Sequence, residues 1–402
     1  MSTALAPPSL ESRRARRAVA ALFLTNGALF ANLVPRYPEI KADLALDNAA
    51  YGVAIAAFPA GAIVAGLAAA VVIRRLGSGR AAVLGTILTA VGTVLAGFSP
   101  SLLVFAGALA FAGATDAITD VAQNTHGLRV QRRYGRSIIN SFHAIWSIGA
   151  VLGGSMAAGA IALGLPRALH LGVSGVLFAV VSLIALRFLL PGRDDETASE
   201  QGAAPREPRG RISPRVVLVL AALVAVAIAG TLVEDAASTW AAVYLGGPLD
   251  ASAAVAAYGF VALVGAQFVG RILGDRLVDR FGQRAVVRVG GAIAAIGMGA
   301  ALAFPSVPGT ILGFAAAGLG LATTVPAAMH EADELPGLRA GTGVTLVSWL
   351  MRLGFLLSPP LVGLVADGAG LRAGLLVVPI AGVTAVLLAS VLGRRRATGV
   401  AA

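Results

Sequence analysis

Pro191-Gly192-Arg193-Asp194-Asp195-Glu196, followed by Pro205-Arg206-Glu207-Pro208-Arg209 and closing at Ser213, is the one long polar stretch in a chain otherwise made of apolar runs. Its prolines, glycine and mixed charges have the composition of a linker. Six apolar runs precede it, at 18–37, 50–73, 81–99, 102–127, 138–163 and 168–190. Six more follow, at 216–245, 253–275, 285–304, 309–330, 341–366 and 371–393. A bilayer core of ~30 Å takes about 20 apolar residues per helix, and each run meets that length. The expected fold is an all-α membrane protein of twelve transmembrane helices in two pseudo-symmetric six-helix bundles.

Composition agrees. Hydrophobic residues fill 57% of the 402 positions and charged residues 13%, too little charge to cover a soluble protein of that size. The net charge of +11 would suit nucleic acid, but the basic residues sit between apolar blocks and form no continuous face. That placement argues for a bilayer as partner and against nucleic acid. The chain has no cysteine, which removes disulfides and thiolate metal sites, and nothing in it calls for a metal or cofactor. Lys41 is the sole lysine among 31 basic residues, a bias that fits a GC-rich bacterial genome. Ser12-Arg13-Arg14-Ala15-Arg16-Arg17 before the first run resembles a twin-arginine signal, yet eleven further runs follow and favour an uncleaved first helix.

The arginines set the expected orientation. With both termini inside, one side collects Arg13 to Arg17, Arg74, Arg75, Arg80, Arg129, Arg132, Arg133, Arg136, the 193–215 segment, Arg276, Arg280, Arg284 and Arg394 to Arg396. The other side keeps Arg36, Lys41, Arg167 and Arg372. The positive-inside rule therefore places both termini in the cytoplasm, for a multi-pass monomer of the bacterial inner membrane. The expected organisation is a cytoplasmic tail at 1–17, a six-helix half at 18–190, a cytoplasmic linker at 191–213, a second half at 214–393 and a cytoplasmic tail at 394–402.

The halves echo one another. Arg74-Arg75-Leu76-Gly77-Ser78-Gly79-Arg80 follows the second run and Asp279-Arg280-Phe281-Gly282-Gln283-Arg284 follows the eighth. Gly149-x-x-x-Gly153 in the fifth run has its counterpart in Gly354-x-x-x-Ser358-Pro359-Pro360 of the eleventh. The 279–284 loop resembles the cytoplasmic gate motif of the major facilitator superfamily, with Arg74 standing where the first-half copy has an Asp. Asp120-Val121-Ala122-Gln123-Asn124, Gly135-Arg136-Ser137 and Ser141-Phe142-His143-Ala144-Ile145-Trp146-Ser147-Ile148-Gly149 are similar to its fucose-permease-like branch of bacterial permeases. So are Glu234-Asp235 leading to Trp240 and Tyr244, Gly270-Arg271-x-x-Gly274-Asp275-Arg276, and Gly354 to Pro360. In sugar–proton symporters of that branch an acidic residue on the fourth helix, with Asn four positions on, carries the proton and helps bind sugar. Asp120 and Asn124 occupy that pattern, and His143 stands in place of the polar residue on the fifth helix. The branch's acid on the first helix has no counterpart, and Asn26 is the comparable polar residue there.

Ionisable groups inside spans are costly and mark function or pairing. Asp116, Asp120 and Asn124 recur every four residues, on one helical face with Gln123 alongside. Either the carboxylates exchange protons or they pair with an arginine and hold helices together. His143 reads as the one deeply placed histidine, sharing a face with Trp146, which either packs or stacks on a ring-bearing solute. The seventh run is too long for a straight span, so a tilt or a break near Gly230 is expected, with Glu234 facing the cavity and Asp235 in an external contact. Arg271 and Asp275 are spaced for an intrahelical ion pair beside Asp279 and Arg280, a gate latch. His330-Glu331 is expected to be solvated. Arg352 lies near mid-membrane, where a guanidinium costs at least ~2.5–3.5 kcal/mol. It calls for a carboxylate, with Asp120, Asp116 and Glu234 as candidates, or for an anionic ligand.

These residues suit a secondary active transporter of a small polar solute, a sugar or sugar-like metabolite, coupled to protons and working by alternating access. A proton-driven efflux antiporter is the alternative, disfavoured because Gly153-Gly154 lacks the adjoining Pro that drug antiporters of the superfamily usually carry. Four scattered histidines and no metal-ligand spacing argue against a membrane enzyme.

Overall fold

The computed structural model describes residues 9–134, 138–192, 213–338 and 342–393, with the side chains of Asn140 and Asp275 left out. The 1–8 tail, most of the linker, the Gly135-Arg136-Ser137 motif and the 394–402 tail lie outside the described residues. Among the described residues twelve helices are long and apolar enough to cross a membrane. In chain order they are α1 Leu10–Asp43, α2 Asn48–Gly66, α3 Ser78–Gly97, α4 Leu102–Tyr134, α5 Ser141–Ala162 and α6 Arg167–Leu186. The second six are α7 Pro214–Gly246, α8 Ala253–Gly274, α9 Gln283–Ala303, α10 Val307–Asp333, α11 Thr342–Ala369 and α12 Leu371–Val391. The helices outrun several apolar runs. α4 continues through Arg129 to Tyr134, because a helix does not end where the apolar stripe does.

The chain forms two compact units, Met1–Leu46 with Val53–Pro205 and Asp47–Gly52 with Arg206–Ala402. In the first, α1 and α5 approach backbone to backbone. A Cβ on Gly27 would stand 2.3 Å from the Trp146 carbonyl oxygen, one on Gly149 2.2 Å from that of Leu24, and one on Gly153 2.3 Å from that of Ala28. Only glycine permits that seam, the small-residue packing that lipid favours because it offers no hydrophobic force between helices. Phe23 and Phe142 stack at 5.4 Å beside it. In the second unit Gly290 on α9 and Gly320 on α10 face each other the same way.

The two loops that echoed each other in sequence share a conformation. Gly77 has φ 80° and ψ 150°, and Gly282 has φ 82° and ψ 153°, each at the N-cap of the following helix. Side chains avoid that region, so glycine is required at both positions whatever the neighbouring residues are.

Three helices depart from expectation. α7 is one continuous 33-residue helix and is not broken at Gly230. Gly230 is there for packing, since a Cβ would lie 2.4 Å from Thr324 Oγ1 of α10. Interruptions fall elsewhere, among them those in α10 between Leu321 and Thr324 and in α11 at Met351. At the latter, Thr231 of α7 donates its hydroxyl to the Met351 carbonyl at 2.9 Å. α11 keeps Pro359 and Pro360 inside its second segment.

Candidate functional site

In the first unit Asn26 joins three of the singled-out residues. Its Nδ2 donates to Asp116 Oδ1 at 2.6 Å, and its Oδ1 accepts the Trp146 indole N–H at 2.8 Å. The glycine seam makes this possible, because Gly27 and Trp146 meet at backbone distance. One turn along α4, Asn124 Nδ2 donates to the Asp120 carboxylate and to its backbone carbonyl, both at 2.9 Å. A carboxyl that receives a hydrogen bond from a neutral amide keeps it whether ionised or protonated, since one oxygen still accepts. Asp116, Asp120, Asn124 and Trp146 are half-buried, and Asn26 is buried. Gln123, beside them, is wholly buried with neither amide atom hydrogen-bonded.

The histidine expectation is corrected. His143 is exposed, edge-on to the Phe23 ring at 5.2 Å. The buried histidines are His126 and His170. The Leu190 backbone N–H donates to His126 Nε2 at 3.1 Å, which leaves the proton on Nδ1 to donate to Ser78 Oγ at 2.8 Å. A neutral His126 thereby ties α3, α4 and the end of the first unit together. His170 Nε2 lies 2.7 Å from Asn32 Oδ1, and Arg36 Nε reaches its Nδ1 at 3.4 Å. Arg36 is not a loop charge but is 3% exposed, held also by Glu39 at 2.6 Å and the Leu165 carbonyl at 2.9 Å. The four-residue spacings of Asn32 with Arg36 and His170 with Ser174 were the available signal.

In the second unit Glu234 takes a hydrogen bond from Gln267 Nε2 at 2.8 Å and a contact from Arg271 at 3.7 Å. Gln267 and Arg271 are four apart on α8, so one face of that helix addresses one carboxylate. Arg271 thus reaches Glu234, and the expected pair with Asp275 falls on a side chain outside the described residues. Asp279 and Arg280 are exposed, the latter's guanidinium 5.4 Å from the Phe281 ring centroid.

Asp235 is no external contact. It is buried, with Thr239 Oγ1 at 3.5 Å from one carboxyl oxygen and no hydrogen bond to the other. Residues 47–52, which group with this unit, bring Tyr51 edge-on to the fully buried Trp240 at 5.1 Å. Asp367 accepts the backbone N–H of Asn48 at 3.0 Å and that of Ala49 at 2.8 Å, capping the start of α2. The sequence reading overlooked Asp367, because a carboxylate at the end of an apolar run looks like a loop charge. Glu331 is likewise not merely solvated, since it accepts the Gly393 N–H at 2.8 Å. Arg352 is half-buried and makes no hydrogen bond or ion pair with any described residue. Glu234, the candidate carboxylate of its own unit, is engaged instead by Gln267 and Arg271.

Comparison with known proteins places this arrangement. The Major Facilitator Superfamily model matches residues 19–277 and 251–401. An uncharacterized transporter, y4wD, of Sinorhizobium fredii (strain NBRC 101917 / NGR234) is 30% identical over 94% of this chain and 97% of its own. The membrane protein MosC of Rhizobium meliloti is 30% identical over 95% and 91%. Among solved structures, the nucleoside transporter NupG aligns at a TM-score of 0.72 with 13% identity, covering 95% of this chain and 98% of its own. A D-xylose-proton symporter aligns at 0.69 with 16% identity, covering 94% and 96%. Those two likenesses establish the fold, and the family match extends over nearly all of the chain. This multi-pass membrane protein belongs to the Major Facilitator Superfamily and is a transporter.

Proposed function

We propose that the chain takes up a small polar solute, a sugar or sugar-like metabolite, together with protons across the bacterial inner membrane. Both termini face the cytoplasm, the protein works as a monomer, and the halves 18–190 and 214–393 give alternating access. The observation that carries this reading is Asn26 held between Asp116 and Trp146 within the spans. A carboxyl, an amide and an indole at one place offer a solute hydrogen-bond acceptors, donors and an apolar ring face. Asp120, with Asn124 as its donor, is the group that takes up and releases the proton. The Asn124 amide suits that task, because it keeps its bond to the carboxyl in either protonation state. Glu234, with Gln267 and Arg271, is the corresponding polar group of the second half.

Counterflow into proteoliposomes, run over a panel of sugars, sugar acids, nucleosides and common drugs, tests the substrate class. Exchange of polar solutes and not of drugs is expected. Exchange confined to lipophilic cations would overturn the reading in favour of efflux.

A further inference from the structure

Arg352 is a half-buried charge ten residues into the membrane-crossing helix α11, without a hydrogen bond or ion pair to any described residue of its own unit. Its guanidinium stays protonated at any physiological pH. Ten residues of α11 separate it from Thr342 at the near end of the span, roughly 15 Å at ~1.5 Å per residue. The carboxylate of its own unit that faces an arginine, Glu234, is engaged by Arg271 and Gln267. Asp235 is sealed in beside Thr239.

A cation so placed persists because something negative visits it. Just before Arg352, the Met351 carbonyl accepts the Thr231 hydroxyl at 2.9 Å, which fixes this turn of α11 against α7.

We infer that Arg352 binds a carboxylate carried by the transported solute. One guanidinium matches a carboxylate monoanion in charge and in two-pronged geometry, whereas a phosphate dianion would call for a second cation. This inference rests on the transporter reading and narrows its solute from sugar-like metabolites to sugar acids and similar small carboxylates.

The test uses the full-length protein in vesicles of phosphatidylcholine alone, so that no anionic lipid competes. Matched probes, glucose against glucuronate and galactose against galacturonate, are measured for binding by tryptophan fluorescence and for counterflow. Each acid should bind at least about tenfold more tightly than its neutral partner, and Arg352→Gln should abolish that difference, with Arg352→Lys retaining part of it. Thermal unfolding of both variants without solute controls for misfolding. The inference is overturned if neither acid is preferred, or if the preference survives in Arg352→Gln. Carboxylate exchange that ignores a pH gradient would instead count against proton coupling and leave the Arg352 assignment standing.

Discussion

The amide of Asn26 donates to Asp116 at 2.6 Å while accepting from Trp146 at 2.8 Å, so one neutral side chain bridges α1, α4 and α5. Asn26→Ala removes both bonds and Trp146→Phe removes one. Interhelical hydrogen bonds in membranes are worth about 0.6–2 kcal/mol each. Asn26→Ala should therefore cost about 1–3 kcal/mol and Trp146→Phe about 1 kcal/mol, read as a graded fall in melting temperature in detergent. Equal melting of both variants and wild type would show that the bridge contributes nothing.

The α1–α5 seam makes a sharper claim. Gly149→Val places carbon on the Leu24 carbonyl, 2.2 Å from the ideal Cβ, and must force the helices apart. Gly159→Ala, on the same helix with nothing within 4 Å, is the control. The first should lower the yield of monodisperse protein several-fold and cost more than about 3 kcal/mol, a severe overpacking. The second should be neutral or slightly stabilising, because alanine favours a helix over glycine. Size-exclusion profiles of the two variants decide it.

His126 and His143 exchange the roles their positions suggest. Removing His126 breaks its bond to Ser78 and leaves the buried Leu190 N–H without its imidazole acceptor, so His126→Ala should destabilise by about 1–3 kcal/mol. His143 is exposed, and His143→Ala should cost clearly less than His126→Ala. Thermal unfolding of the pair checks this order, and the reverse order would refute this placement.

These contrasts mark what the amino-acid order could reveal. The bilayer imposes length and apolarity on each helix, so the twelve spans were legible, and so was the four-residue spacing of Asp116, Asp120 and Asn124. Partners across helices were not. Trp146 meets Asn26 because Gly27 and Gly149 let α1 and α5 touch, a tertiary fact that no local window carries. The length of the seventh run suggested a tilt or a break near Gly230, but that glycine serves packing against Thr324 and the helix stays continuous. His143 looked deep because it lies in an apolar run. Its side chain points out of the packed interior, while His126, near the polar end of α4, is enclosed.

Proton coupling through Asp120 is the central claim, and uptake driven by an imposed pH gradient tests it most directly. Proteoliposomes made with wild-type protein and with Asp120→Asn are compared for net accumulation of a solute that the counterflow panel has identified, and for exchange of that solute at equal pH. Asn preserves the shape of Asp120 and the neighbouring Asn124 but cannot exchange a proton. Wild type should accumulate the solute several-fold when the outside is acidic, while Asp120→Asn should exchange it at near wild-type rate and accumulate none. Wild-type accumulation by Asp120→Asn would contradict the account.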